Sequence, residues 1–251
     1  MTDHSLEETL ALAPPSSQVA RHVGIIMDGN GRWAVERGLP RAAGHRAGIE
    51  NVRTVVRASV EAGVRHLTLY AFSTENWSRP PEEVRGLLGL IDIYLERELN
   101  ELDRGGVRLR HLGTLDRLPP ATRRRVERAV RRTARNDRLH LNIAFNYGGR
   151  AEIVQAARRL LRANPAAEEI TEARLSACLD TAGQPDLDLV IRTGGEMRLS
   201  NFLLWQAAYA ELYVSPAYWP DFGREEFLQA IECLASRQRR FGRILDSTTA
   251  G

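Results

Sequence analysis

HVGIIMDGNGRWA, residues 22–34, is the stretch that decides the fold. His22 to Met27 is a short apolar run without polar alternation, as expected of a strand covered on both faces. It breaks at once into Asp28, Gly29, Asn30 and Gly31, so the chain must turn where the strand ends. The same unit recurs along the sequence. HLTLYAF (66–72), VRLRHLG (107–113), LHLNIAF (139–145) and the run from Leu187 to Ile191 read as further strands. Helical spacing fills the intervals. It runs from Gly44 to Ala62 through Ile49, Val52, Val56 and Val60, stopped by Gly63, and from Val84 to Leu102. Two more helical segments run from near Pro119 to Asn136 and onward from Gly149. Repeated strand–helix alternation predicts a single α/β domain over residues 22–245, with a mostly parallel central sheet flanked by helices. Residues 1–21 read as a flexible N-terminal tail ending in the Pro14–Pro15–Ser16–Ser17 breakers.

Composition narrows the chemistry. Of 251 residues, 43% are hydrophobic and 27% charged, enough for a sizeable core and too apolar for global disorder. All 35 basic residues are arginine, which excludes a Walker-A lysine, a Schiff base and pyridoxal chemistry. It points instead to bidentate recognition of oxyanions. The net charge of +3 is too slight to argue for nucleic acid. The Arg-rich segment 123–135 keeps an apolar stripe through Val126, Ala129, Val130 and Thr133, and reads as a solvated helix face. Cys178 and Cys233 lack metal spacing and read as reduced core residues. No uncharged run exceeds 12 residues, so a transmembrane helix is not expected, and the acidic N-terminus (Asp3, Glu7, Glu8) is unlike a signal peptide. These features predict a cytoplasmic protein.

In open α/β sheets functional loops lie beyond the carboxyl ends of the strands. Three such loops are rich in Gly, Arg, Asn and Ser: 28–33, 73–79 and 192–200. In the first, Gly29-x-Gly31-x-x-Ala34 with Glu50 downstream mimics a dinucleotide fingerprint, but Glu50 sits inside a helix rather than at a strand end. An anion cradle fits better: the amides of Gly29 to Gly31, with Arg32 as clamp. Asp28 suits a magnesium ligand, since Mg²⁺ prefers one or two carboxylates plus substrate phosphates; the plainer alternative is a helix N-cap. Arg41 and His45 can extend the cradle. The second loop offers Ser73, Asn76, Trp77, Arg79 and Glu83, although Glu82 and Glu83 also suit an ordinary helix entry. In the third, Arg192 and Arg198 around a glycine pair, with Ser200 nearby, form a candidate second diphosphate site.

Two anion cradles, one metal-binding carboxylate and the wide apolar helix 84–102 suit the joining of two diphosphate-bearing apolar molecules. The sequence resembles the cis-prenyltransferase family in HVGIIMDGNGRWA, GH (44–45), LTLYAFSTENWSRPPEEV (67–84), LNIAFNYGGR (141–150), DLVIRTGGEMRLSNFLLWQAAYAELYV (188–214) and RQRRFG (237–242). The resemblance implies a homodimeric enzyme that condenses isopentenyl diphosphate in cis onto an allylic diphosphate, with Mg²⁺ as cofactor. Farnesyl diphosphate is the expected starter and undecaprenyl diphosphate the expected product, delivered to a membrane with which the protein associates peripherally. A short-chain synthase and a non-catalytic prenyltransferase-like subunit are the alternatives.

Carried over by residue, the resemblance implies that Asp28 holds Mg²⁺ and promotes departure of the allylic diphosphate. Gly29, Asn30, Gly31, Arg32, Arg41 and His45 bind that diphosphate, with Trp33 beside it. Ser73, Thr74, Glu75, Trp77 and Arg79 shape the crevice. Asn76 matches the family's proposed proton acceptor, the released diphosphate being the other candidate. Arg192, Arg198, Leu199 and Ser200 bind isopentenyl diphosphate, Glu83 lies near it, and Glu211 completes the metal site. Arg237, Arg239 and Arg240 are expected to reach a neighbouring subunit. Product length is expected to depend on wall residues: Ala71 is small and favours a medium or long chain, whereas Phe145 shortens it if its ring enters the tunnel.

Overall fold

The computed structural model describes residues 20–236; residues 1–19 of the expected tail and the RQRRFG segment lie outside the described residues, while the last two residues of that tail are held, Ala20 in the core and Arg21 by its amide on Asp188. Six strands form one sheet: β1 (His22–Ile26), β2 (His66–Ser73), β3 (Val107–Leu112), β4 (Leu139–Tyr147), β5 (Leu189–Arg192) and β6 (Glu211–Val214). Their order is β3-β4-β2-β1-β5-β6, and every neighbouring pair is parallel. The described helices are α1 (Asn30–Glu36), α2 (Arg41–Glu61), α3 (Pro81–Arg104), α4 (Pro120–Arg132), α5 (Gly149–Leu161), α6 (Glu172–Ser176) and α7 (Arg224–Ser236).

The apolar runs become strands because they sit between two covered faces. All residues of β1 and β5 are buried, as central parallel strands require. Alternate side chains serve two cores. Val23, Ile25, Leu67, Leu69 and Leu141 pack against Val52, Val55 and Val56 of α2, Tyr94 of α3 and Phe227 of α7. Ile26, Ala144 and Val190 face the other way, onto Tyr147, Phe202 and Leu203.

Helix α3 starts before its apolar stripe, on Pro81 with Glu82 and Glu83 in the first turn, a start that suits both proline geometry and the helix dipole. Its apolar residues are unevenly covered: Tyr94 is buried, but Ile93 remains 45% exposed. Helix α4 ends at Arg132, short of Asn136, and buries only Thr122 and Ala129 among its residues. The two cysteines are free, as expected, but half-buried rather than in the core. Strand β6 went unseen in the sequence because ELYV is too short to separate from the apolar stretch around it.

Candidate active site

The carboxyl ends of β1, β2, β4 and β5 open onto one crevice of about 740 Å³. Its walls include Asp28, Gly29, Asn30, Gly31, Arg41, His45, Ser73, Glu75, Asn76, Arg79, Arg192, Arg198 and Ser200. The three loops therefore converge as their placement predicts.

Local backbone geometry explains the glycines. Gly29 precedes α1 at φ 102°, a conformation that favours glycine, and a Cβ there would meet the Tyr218 ring at 2.5 Å. Gly44 lets α2 approach the Asn30 carbonyl so closely that a Cβ would stand 1.9 Å from it. That contact brings His45, the next residue, to the crevice wall.

Asp28 sits at the centre. Its Oδ1 accepts from the Gly29 amide at 2.7 Å, and its Oδ2 from Arg192 at 2.7 Å. Arg32 lies 3.5 Å from the same carboxylate. Burial pushes the Asp28 carboxyl up, but the Arg192 hydrogen bond, the Gly29 amide and the charges of Arg192 and Arg32 outweigh it and hold its pKa below the ordinary value. Arg192, only 3% exposed, also donates to the Arg198 carbonyl at 2.7 Å and the Ser200 hydroxyl at 2.8 Å. It is thus a fixed pillar between the first and third loops. Arg198, more exposed, pairs with Glu196.

Ser73 and Asn76 close a capping box around the 3₁₀ turn Thr74–Ser78. In it the Asn76 Oδ1 accepts from the Ser73 amide at 2.9 Å. Glu83 accepts from Arg79 at 2.9 Å and lies 3.6 Å from His45 Nε2. Burial lowers the His45 pKa, and Glu83 opposes this only in part while Arg79 and Arg41 reinforce it, so the ring is neutral at pH 7.

Several predicted residues stand behind the wall rather than in it. Trp33 turns away: its Nε1 donates to Asp221 at 2.7 Å and Arg37 covers its ring at 4.4 Å. Trp77 donates to Asn146 at 2.7 Å and packs edge-on to Phe72, bracing the turn. Thr74 donates to Glu75, and Leu199 packs into the second core. Glu211 is not brought to Asp28 within this chain. It is level with Leu189 and hence with Val23, five residues and about 16 Å along β1 from Asp28 at strand rise.

The structure adds Arg150 and Asn201. Both line the crevice. Asn201 accepts from the Arg150 amide and donates to Glu75, each at 2.9 Å. Gly148, Gly149 and Arg150 follow β4 as glycine and arginine follow β1, so the signal was present in LNIAFNYGGR.

The donor set suits a hard cation. An ionised carboxylate offers about four lone-pair positions, and Asp28 commits two to Gly29 and Arg192. That leaves room for a cation held by one carboxylate together with phosphate oxygens, which is the Mg²⁺ habit.

A second, apolar cavity lies between the sheet and helices α2, α3 and α4, lined by Leu69, Ile91, Tyr94, Ile143 and Phe145 among others. Met27 and Ala71 line both spaces, so the polar crevice and the apolar cavity share a wall. Phe145, 4% exposed, stacks on Phe72 at 5.0 Å on that cavity's edge.

A parallel sheet whose strand ends carry an arginine-lined oxyanion crevice beside an apolar cavity suits an enzyme whose ligands are anionic at one end and apolar along the rest. The family model described as putative undecaprenyl diphosphate synthase matches residues 26–242. An isoprenyl transferase of Heliobacterium mobile is 51% identical over 244 residues, covering 95% of this chain and 93% of the relative. A farnesyl-diphosphate-specific ditrans,polycis-undecaprenyl-diphosphate synthase of Pseudomonas putida is 50% identical over 250 residues, covering 98% and 99%. Among solved structures, lavandulyl diphosphate synthase of Lavandula x intermedia, in complex with dimethylallyl diphosphate, superposes with a TM-score of 0.86 at 33% identity, covering 89% of this chain and 98% of that one. A probable undecaprenyl diphosphate synthase of Campylobacter jejuni gives 0.78 at 34% identity, covering 91% and 100%. The chain belongs to this family and is a cis-prenyltransferase.

Proposed function

We propose that the protein condenses isopentenyl diphosphate in cis onto an allylic diphosphate, with farnesyl diphosphate as starter and undecaprenyl diphosphate as product. The observation that carries this reading is the shared wall: Met27 and Ala71 line both the oxyanion crevice and the apolar cavity, so the two spaces adjoin. Diphosphates bind in the first and the growing chain enters the second.

The Gly29–Gly31 loop, Arg41 and His45 hold the allylic diphosphate, whose negative charge grows as its C–O bond breaks. Fixed donors aimed at that charge lower the barrier. Arg192, Arg198 and Ser200 hold the isopentenyl diphosphate. Mg²⁺, when bound, supplies Lewis-acid stabilisation of the leaving diphosphate. Asp28 would hold it, kept ionised by Arg192 and Arg32. Glu211 would serve only as a residue of a second copy. The Asn76 Oδ1 is engaged by the Ser73 amide, which favours the released diphosphate as proton acceptor.

A shorter product is the second reading, favoured by the Phe145 ring at the cavity wall. The intact set of charged crevice residues speaks against a non-catalytic subunit. On α4, Arg125 and Arg132 pair with Asp92 and Asp103, as a solvated face would, so no nucleic-acid partner is proposed. No described helix is long and apolar enough to cross a membrane, so delivery of the product calls for peripheral contact. Incubation with labelled isopentenyl diphosphate and geranyl, farnesyl or geranylgeranyl starters tests the reading. Farnesyl diphosphate is expected to yield the longest ladder, and absence of incorporation from all three starters would overturn it.

A further inference from the structure

The second face of the sheet changes character along its strands. Near the crevice it carries Leu112, Ala144, Tyr70 and Ile26, but its first row, about 13 Å away along β1, reads Arg108, His140, His66 and His22 on four adjacent strands. The next row adds Arg110, Asn142 and Thr68.

Part of this cluster is scaffold. Buried His22 has Nδ1 at 2.8 Å from the Pro185 carbonyl and Nε2 at 2.8 Å from the Thr68 hydroxyl. The carbonyl can only accept, so Nδ1 carries the proton and Thr68 donates to Nε2. Asn142 and Gln184 continue the network to His66, whose Nδ1 donates to Gln184 Oε1 at 2.9 Å.

The rest faces positive charge: the Arg110 guanidinium donates only to a neutral group, the Ala182 carbonyl, at 3.4 and 3.5 Å. The His66 and His140 rings stack 4.6 Å apart, and His140 Nδ1 is buried with no hydrogen-bond partner. The charged side chains acting on His66 are Arg21, Arg65 and Arg110; those acting on His140 are His66, Arg108, Arg110 and Arg65. The Asp188 carboxylate accepts the amides of Arg21 and His22. Asp137 offers Arg65 only its carbonyl. The crevice is different: there Arg192, Arg79 and Arg198 each have a carboxylate partner.

We propose that His66, His140, Arg108 and Arg110 form a second oxyanion site, remote from the crevice, that takes a phosphate group. Guanidinium forks, joined by imidazole N–H donors, match a tetrahedral oxyanion in shape and charge. The bound anion supplies the missing counter-charge, and burial together with the surrounding cations, which push the His140 pKa down to about 4, is then offset. By linkage, anion binding raises the pKa of both imidazoles. A free phosphate compound and the headgroup of an anionic lipid offer the same chemistry.

The test follows the histidine Cε1–H signals of the full-length protein by NMR near pH 6.5 during addition of inorganic phosphate, with chloride at equal ionic strength as control. The site predicts saturable shifts of His66 and His140 with phosphate and not with chloride, and pKa values for both that rise. In Arg108→Gln the apparent affinity falls about tenfold, while incorporation of isopentenyl diphosphate is unchanged. Vesicles of phosphatidylcholine with and without phosphatidylglycerol distinguish the sources: competition by the anionic vesicles assigns a lipid headgroup, and its absence a soluble phosphate. Equal shifts with chloride, a response confined to His45 in the crevice, or no response to either phosphate or vesicles would overturn the proposal.

Discussion

Arg192 Nη2 lies 2.7 Å from Asp28 Oδ2, joining the last residue of β5 to the loop after the neighbouring strand β1. Arg192 is nearly fully buried and Asp28 is not, so the arginine fixes the carboxylate rather than the reverse. Asp28→Ala is expected to lose at least about a hundredfold in turnover, the scale of losing an electrostatic catalytic group, while keeping its fold. Arg192→Gln removes the main group holding the Asp28 pKa down. The acid limb of its rate profile therefore moves to higher pH, since the carboxylate must then be ionised without that help. Full activity of Asp28→Ala, or of the wild type in excess chelator, would count against this role.

Ala71 and Phe145 both line the apolar cavity, where the proposed product chain would be stopped. Ala71→Leu adds bulk to the shared wall and is expected to shorten the chain ladder while the first condensation survives. Phe145→Ala is expected to lengthen it. Chain-length analysis checks both, and identical ladders from all three proteins would remove these residues from the tunnel wall.

Strand β6 forms the edge of the sheet, and Tyr209 just before it is 76% exposed. An apolar edge of this kind invites a partner, and a second copy of the chain is the proposed one. Sedimentation at micromolar concentration is expected to give twice the 28.1 kDa of one chain. A monomer would contradict the dimer.

His22 gives the fold a pH limit. Burial lowers its pKa from 6.5 to about 4. The neutral ring is the folded form, so its contribution is complete above pH 6.5 and is lost as pH falls through the interval down to about 4. The full effect is about 3 kcal/mol at most for one proton. Urea unfolding of the wild type and His22→Gln at pH 7 and 4.5 is expected to show the stability difference between the two narrowing in acid. A constant difference would contradict a buried neutral His22.

Much of this was legible in the sequence, and for physical reasons. Runs such as HVGIIM are continuous because both faces are covered, and the Gly–Arg loops stand out because strand ends are where backbone must turn. What stayed hidden depends on register and packing. Glu211 sits in a motif beside other site residues, yet parallel pairing sets it level with Val23, far from Asp28. Trp33 follows the cradle directly, but one helical turn carries it to Asp221. Arg150 was overlooked although its Gly–Gly–Arg signal matched the other loops.

The most direct test of the central claim is the geometry of the bond the enzyme makes. Product formed from carbon-13-labelled isopentenyl diphosphate and farnesyl diphosphate can be read by NMR at each new double bond. The account predicts cis double bonds in every added unit, and trans double bonds in the added units would contradict it.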